Sequence, residues 1–252
     1  MIAALIGAIV WNILTWYFGI PSSSSHAIIG GVMGAGIAKA GFGIIQVAGV
    51  LKIVLALVTS PLIGMGLGFV IMKTLYWLFG DLPPGKVNRG FHRLQIFSAA
   101  LLSFNHGSND AQKAMGIITL ALVAAGMQSA LDVPTWVKVS CATAMGLGTA
   151  MGGWRIIRTL GVKIFKLEPI HGFAENLSSS LVIYTATAFP GLHLPVSTTH
   201  IVSGSIMGVG AAKRIRAVRW GVAQQMLLAW ILTIPCSATV SLLSYYLLTV
   251  IF

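Results

Sequence analysis

The chain has 252 residues, 56% of them hydrophobic and 8% charged, with a mean hydropathy of +0.89. Soluble domains carry roughly a quarter of their residues as charges, so too few are present here to cover a water-facing surface. Sixteen Lys and Arg against five Asp and Glu give a net charge of +11. Where those charges fall decides between a nucleic-acid partner and a membrane topology.

Met1 opens directly into an apolar stretch, with no basic leader or small-residue cleavage site, so no secretory signal peptide is expected. Apolar spans follow near residues 1–18, 23–39, 44–79, 93–126, 136–153, 169–190, 196–212 and 219–250. Several approach or exceed the roughly 20 residues that cross a bilayer as helix. The predicted fold class is an all-α membrane protein of about eight transmembrane segments, some of them broken. Its expected place is the cell membrane (plasma or inner), as a multi-pass protein.

Eleven of the sixteen basic residues cluster in three connecting segments: Lys86, Arg89 and Arg93; Arg155, Arg158, Lys163 and Lys166; Lys213, Arg214, Arg216 and Arg219. This is the positive-inside pattern, and it makes a nucleic-acid partner the weaker explanation. Cys141 and Cys236 sit far apart in apolar segments, which suits buried free thiols and neither a disulfide nor a metal site. Trp11, Trp16, Tyr17, Tyr76, Trp77, Tyr245 and Tyr246 read as interface anchors.

An internal repeat runs through the chain. Pro21-Ser22-Ser23-Ser24-Ser25-His26 resembles Pro195-Val196-Ser197-Thr198-Thr199-His200. At the same separation Gly30, Met33, Gly34, Gly36, Ala38, Lys39, Thr59 and Pro61 recur as Gly204, Met207, Gly208, Gly210, Ala212, Lys213, Thr233 and Pro235. Counting spans puts the three basic clusters on one side, so the two copies enter from opposite faces. That is an inverted-topology repeat, whose substrate sites lie at mid-membrane on broken helices. The expected domains are 1–79, the remainder of the first repeat; 80–92, a cytoplasmic connecting loop; and 93–252, the second repeat.

In both copies the chain breaks, at Gly19-Ile20-Pro21 and at Gly191–Pro195, before hydroxyl residues open a Gly-rich helix. Ser and Thr there cap free amides, and the positive dipole end suits an anion. A purely structural capping role competes with this. His26 and His200 follow the hydroxyls in both copies; structural hydrogen bonds to nearby backbone are expected ahead of proton carriage.

Asp81, Asp132 and Glu168 fall at span ends or loops, whereas Asp110 and Glu175 fall within spans. An ionisable residue at membrane depth is a functional candidate. Asp110 sits in Asn105-His106-Gly107-Ser108-Asn109-Asp110-Ala111-Gln112-Lys113-Ala114-Met115-Gly116, where a self-neutralising Asp110–Lys113 pair is the competing structural role. Glu175 neighbours Asn176, Ser178, Ser179 and Ser180, as a proton relay or a helix-packing cluster.

Together, Gly107-Ser108-Asn109-Asp110, Pro195–His200 and Pro21–His26 resemble the inorganic-phosphate transporters of the Pit or PHO4 family, closest to their bacterial Pit-like branch. Gly152-Gly153-Trp154-Arg155-Ile156-Ile157-Arg158-Thr159-Leu160-Gly161 and Gly172-Phe173-Ala174-Glu175 support the resemblance. It implies uptake of inorganic phosphate, as the free ion or a metal-phosphate, by cation-coupled symport rather than catalysis. The family carries a Gly-x-Asn-Asp signature in each half, so its first copy is expected ahead of Met1, leaving this chain N-terminally truncated. Many sodium-coupled members resemble Gly-Ala-Asn-Asp-x-Ala-Asn-Ala, and Lys113 stands at the later Asn. Its ammonium then supplies charge that sodium would otherwise bring, which favours proton or metal-phosphate coupling over sodium coupling.

The site expected from repeat and resemblance draws substrate-binding groups from Ser23, Ser24, Ser25, Asn109, Asp110, Gln112, Ser197, Thr198 and Thr199. Asp110, Lys113 and Glu175 are the ion-coupling residues. No resident metal or cofactor is expected, and the coupling ion is a proton or sodium. The partners are phosphate, the lipid bilayer and, as an option, a second copy in a homodimer. A sulfate permease of the same architecture is the main rival, followed by a channel-like or structural membrane subunit. An intramembrane serine hydrolase lacks a Gly-x-Ser-x-Gly elbow, and Ser25-His26 are chain neighbours rather than converging partners.

Overall fold

A computed structural model describes residues 1–188 and 196–251. The break expected at Gly191–Pro195 therefore lies outside the described residues. The described chain forms nine α-helices and no strand: α1 (Ile2–Phe18), α2 (Ser24–Ala40), α3 (Val47–Phe79), α4 (Pro84–Ala124), α5 (Thr135–Gly152), α6 (Trp154–Arg158), α7 (Pro169–Ala188), α8 (Thr198–Lys213) and α9 (Trp220–Ile251). A single π-helical turn, Thr159–Ile164, follows α6.

Local chemistry sets the boundaries. Gly19 adopts a left-handed φ of 64°, and its N–H closes α1 on the Thr15 and Trp16 carbonyls. Pro21 then cannot continue that helix, because it lacks an N–H. Ser23 restarts the chain as α2 by accepting a hydrogen bond from the His26 N–H at 3.2 Å. Ser197 caps α8 in the same way, accepting from the His200 N–H at 3.3 Å.

Segment 80–92 is not a loop throughout. Pro84 stands at the first position of α4, where its missing N–H costs nothing, and no breaker follows, so the helix begins nine residues ahead of the expected span.

The repeat-related elements pack reciprocally. α2 lies on α1 and α9, while α8 lies on α7 and α3. Small residues make these crossings close. A Cβ on Gly204 or Gly208 would run into the Pro61 or Met65 carbonyl, and one on Gly30 or Gly34 into the Ile234 or Ala238 carbonyl. Such close approach is the usual source of van der Waals packing between helices in lipid. α8 is almost entirely buried, and the main core gathers Met72, Ile206, Met226 and Trp230 around it.

The outward faces are apolar. Ile9 and Ile13 of α1, Leu55 and Leu62 of α3, and Leu228 and Ile231 of α9 are all exposed. α3, at 33 residues, and α9, at 32, are long and apolar enough to cross a membrane. Not all the aromatic residues face outward. Trp11 is buried and donates its indole N–H to Thr233 Oγ1 at 3.1 Å, and the Tyr76 hydroxyl meets His171 Nε2 at 3.0 Å. Cys141 is buried, Cys236 half-buried, and both are free thiols.

Candidate functional site

The site is organised by the middle of α4. His106, Asp110 and Lys113 fall four and three residues apart, so the helical period brings them onto one face. The Asp110 side chain is 8% exposed, against 24% for Lys113 and 41% for His106. Its Oδ1 accepts from Lys113 Nζ at 2.9 Å. Its Oδ2 lies 3.1 Å from His106 Nε2 and accepts from Thr198 Oγ1 at 3.1 Å.

Lys113 reaches the starts of both repeat-related helices, α2 and α8. Besides Asp110, its ammonium donates to Ser25 Oγ and to the Val196 carbonyl, the latter at 3.2 Å. All three of its donors are used, as a partly buried ammonium requires. The pair is also neutral, so it adds no net charge to the space beside it.

That space is a cavity of about 230 Å³. Asn12 and Thr15 of α1, Ser22 and Ser24 at the first break, His106 and Asp110 of α4, and Thr199 of α8 bring polar groups to it; Trp16 and Ile156 form apolar wall. Thr15 Oγ1 and Ser22 Oγ are hydrogen-bonded at 2.8 Å. α2 starts at Ser24 and α8 at Thr198, so two helix N-termini open here. First-turn amides and hydroxyl donors around one small cavity suit an oxyanion, and the single carboxylate can accept from a protonated oxygen.

The expected residues divide into groups. Ser24, Asp110 and Thr199 line the cavity. Ser25, Lys113 and Thr198 hold its carboxylate or ammonium from behind. The hydroxyls of Ser23 and Ser197 serve as helix caps, and both residues are buried. Asn109 is buried, its Oδ1 has no partner among the described residues, and it does not line the cavity.

Gln112, expected beside Asp110, faces elsewhere. Two residues along a helix do not share a face. Gln112 lines a second, larger cavity of about 970 Å³ between α4 and α5, with Ser108 and Lys138. Glu175 is buried in α7, where it accepts from Ser179 Oγ at 2.8 Å, and is absent from both linings.

Sequence reasoning missed Asn12, Thr15, Ser22 and His106 as site residues. His106 was legible from its spacing of four to Asp110. Asn12 and Thr15 lie in an apolar helix, and only the fold brings them to the break.

The outer wall is latched. Arg155 donates to the Tyr17 carbonyl at 2.7 Å and lies over the Trp16 ring at 4.9 Å. Trp16 Nε1 donates to the Gly152 carbonyl at 2.7 Å, and Thr159 Oγ1 to the Gly19 carbonyl at 2.8 Å. The Gly152–Gly161 stretch thus closes on the end of α1. Among the described residues no three His, Cys, Asp or Glu side chains converge as a metal site.

Comparison with known proteins agrees with this architecture. Residues 1–83 and 81–241 match the model of the family described as "Phosphate transporter family". A "Probable low-affinity inorganic phosphate transporter" of Bacillus subtilis (strain 168) is 52% identical over 253 residues, covering 100% of this chain and 75% of the relative. A protein of the same name from Rhizobium meliloti (strain 1021) is 50% identical over 245 residues, covering 97% and 72%. The solved structure titled "The sodium-dependent phosphate transporter" superposes with a TM-score of 0.88 at 25% identity, over 99% of this chain and 79% of that one. The names of these relatives describe transport rather than catalysis. On the family match and on these identities, the chain belongs to the phosphate transporter family.

Proposed function

We propose that this chain carries inorganic phosphate across the cell membrane by cation-coupled symport, with a proton as the coupling ion. The observation that carries the reading is the cavity of about 230 Å³ at which the starts of α2 and α8 meet Asp110. Phosphate would enter with Ser24, Thr199 and the first-turn amides of both helices as donors. Asp110 would accept a hydrogen bond from a protonated phosphate oxygen. Sulfate has no such proton at neutral pH and would meet a bare carboxylate, so an unpaired charge rejects it.

In this reading Asp110, Lys113 and Glu175 are the ion-coupling residues. The reciprocal packing of α2 on α9 and α8 on α3 supports an inverted-repeat carrier of eight spans, with all three basic clusters on the cytoplasmic side. The exposed apolar faces of α1, α3 and α9 support a multi-pass placement in lipid. Uptake of labelled phosphate into proteoliposomes tests the assignment. Saturable uptake driven by an inward proton gradient and competed by arsenate supports it; equal competition by sulfate, or uptake indifferent to any gradient, contradicts it.

A further inference from the structure

We propose that His26 and His200 together form one proton-binding site that fills when an oxyanion occupies the adjacent cavity. The inference rests on the transport reading above and assigns its coupled proton to a place. The two residues are repeat equivalents, and they meet: their ring centroids lie 5.1 Å apart with planes tilted by 45°. Both are fully buried, and among the described residues none of their four ring nitrogens makes a well-formed hydrogen bond, although the Leu57 backbone of α3 lies close to the His200 ring. The helix caps engage only their main-chain N–H groups, which donate to the Ser23 and Ser197 hydroxyls, so capping does not use the imidazoles.

Orphan polar atoms are rare in native interiors and call for a reason. A neutral imidazole has one donor and one acceptor, so two facing rings can share a bond after a small rotation. One added proton turns that contact into a charge-assisted hydrogen bond, which is the stronger kind. The proton comes from water and rests on a ring nitrogen of either histidine. Trp230 stacks on His200 with centroids 4.0 Å apart and planes at 27°. An indole face favours a cation lying over it.

The surroundings make the proton depend on the anion. On α4, Lys113 and Asp110 form a neutral ion pair. α1 and α9 contribute no acidic, basic or histidine side chain. On α3, Lys52 and Lys73 are exposed. On α7, Glu175 is taken by Ser179 and His171 by Tyr76. A proton on the pair is opposed by the positive ends of two helix N-termini, and a bound oxyanion offsets that repulsion. Anion and proton then favour each other reciprocally, which a symporter requires. A physical link exists as well: Trp230 Nε1 donates to the carbonyl of Pro21, a cavity-lining residue, at 3.0 Å.

The test is the number of protons taken up per phosphate bound by the full chain in detergent micelles. It is read from calorimetric titrations at one pH in two buffers of different ionisation enthalpy. Wild type and a surface control, His92→Gln, are expected to take up about one proton more than His26→Gln or His200→Gln, both of which still bind phosphate. Equal uptake by all four proteins overturns the proposal, as does loss of phosphate binding by folded His26→Gln and His200→Gln alike. Should either variant fail to fold, wild type labelled with ¹⁵N-histidine decides: phosphate must move buried ring signals to imidazolium positions, and unmoved signals overturn it. No phosphate binding by wild type at any pH would instead remove the transport reading on which the proposal rests.

Discussion

Thr198 donates its hydroxyl proton to Asp110 Oδ2 at 3.1 Å, which ties the first residue of α8 to the carboxylate in the middle of α4. Ser25, at the start of α2, reaches the same carboxylate through Lys113. The two helix starts therefore share one charged centre, and changes at that centre should be felt in both.

Thr198→Val removes the donor while keeping the shape. A hydrogen bond to a charged group contributes about 1.5–3 kcal/mol, and the part of it that orients the carboxylate toward the ligand should appear as a fall in phosphate affinity of roughly threefold to tenfold. Thr198→Ser should recover most of it. Equilibrium binding of labelled phosphate reads both, and a Thr198→Val protein binding within twofold of wild type would contradict the assigned bond.

Asp110→Asn leaves Lys113 with no anionic partner in a partly buried site. Breaking a buried pair costs about 3–5 kcal/mol, and the partial exposure of Lys113 places this one near or below the lower end. Asp110→Asn combined with Lys113→Met should therefore be more stable than Asp110→Asn alone. Thermal unfolding in detergent gives the comparison; strictly additive losses would show that the pair is uncoupled.

Gly204→Ala and Gly208→Ala should be strongly destabilising, because the new methyl meets the Pro61 or Met65 carbonyl of α3. Overpacking of this kind costs about 1–3 kcal/mol, and backbone atoms have little room to yield. Gly66→Ala, with open space around it, should be neutral or slightly stabilising. Unfolding midpoints that fail to separate the two groups would count against the α3–α8 packing.

Much of this was legible before folding. The α1–α2 break follows from Gly19 and Pro21, and both caps from a hydroxyl residue three positions ahead of a histidine. The turning away of Gln112 was also legible, since two residues along a helix points aside. Other features are tertiary. Asn12 and Thr15 have no signal within an apolar helix and become polar wall only because the end of α1 packs on α6 and faces α4 across the cavity. Trp11 resembles an interface anchor in sequence, yet Thr233 on α9 gives its N–H a buried partner. The facing imidazoles of His26 and His200 depend on the meeting of two repeats, which no local pattern encodes.

Topology can be read directly. In a background lacking Cys141 and Cys236, single cysteines at Arg89, Arg158 and Arg216 should all react with a membrane-impermeant thiol reagent from the same, cytoplasmic side. One at Gly43, between the first copy's α2 and α3, should react from the other. Labelling of Arg89 and Arg216 from opposite sides would break the inverted-repeat reading.

An oxyanion should bind where α2 and α8 begin beside Asp110, and arsenate, a phosphate analogue with a strong anomalous signal, can locate it. Crystals of the full chain grown with arsenate should show one anomalous peak inside the cavity of about 230 Å³, within hydrogen-bond reach of Ser24, Thr199 and Asp110. A peak instead between α4 and α5, near Gln112 and Lys138, with the smaller cavity empty, would rule out anion binding at these helix starts.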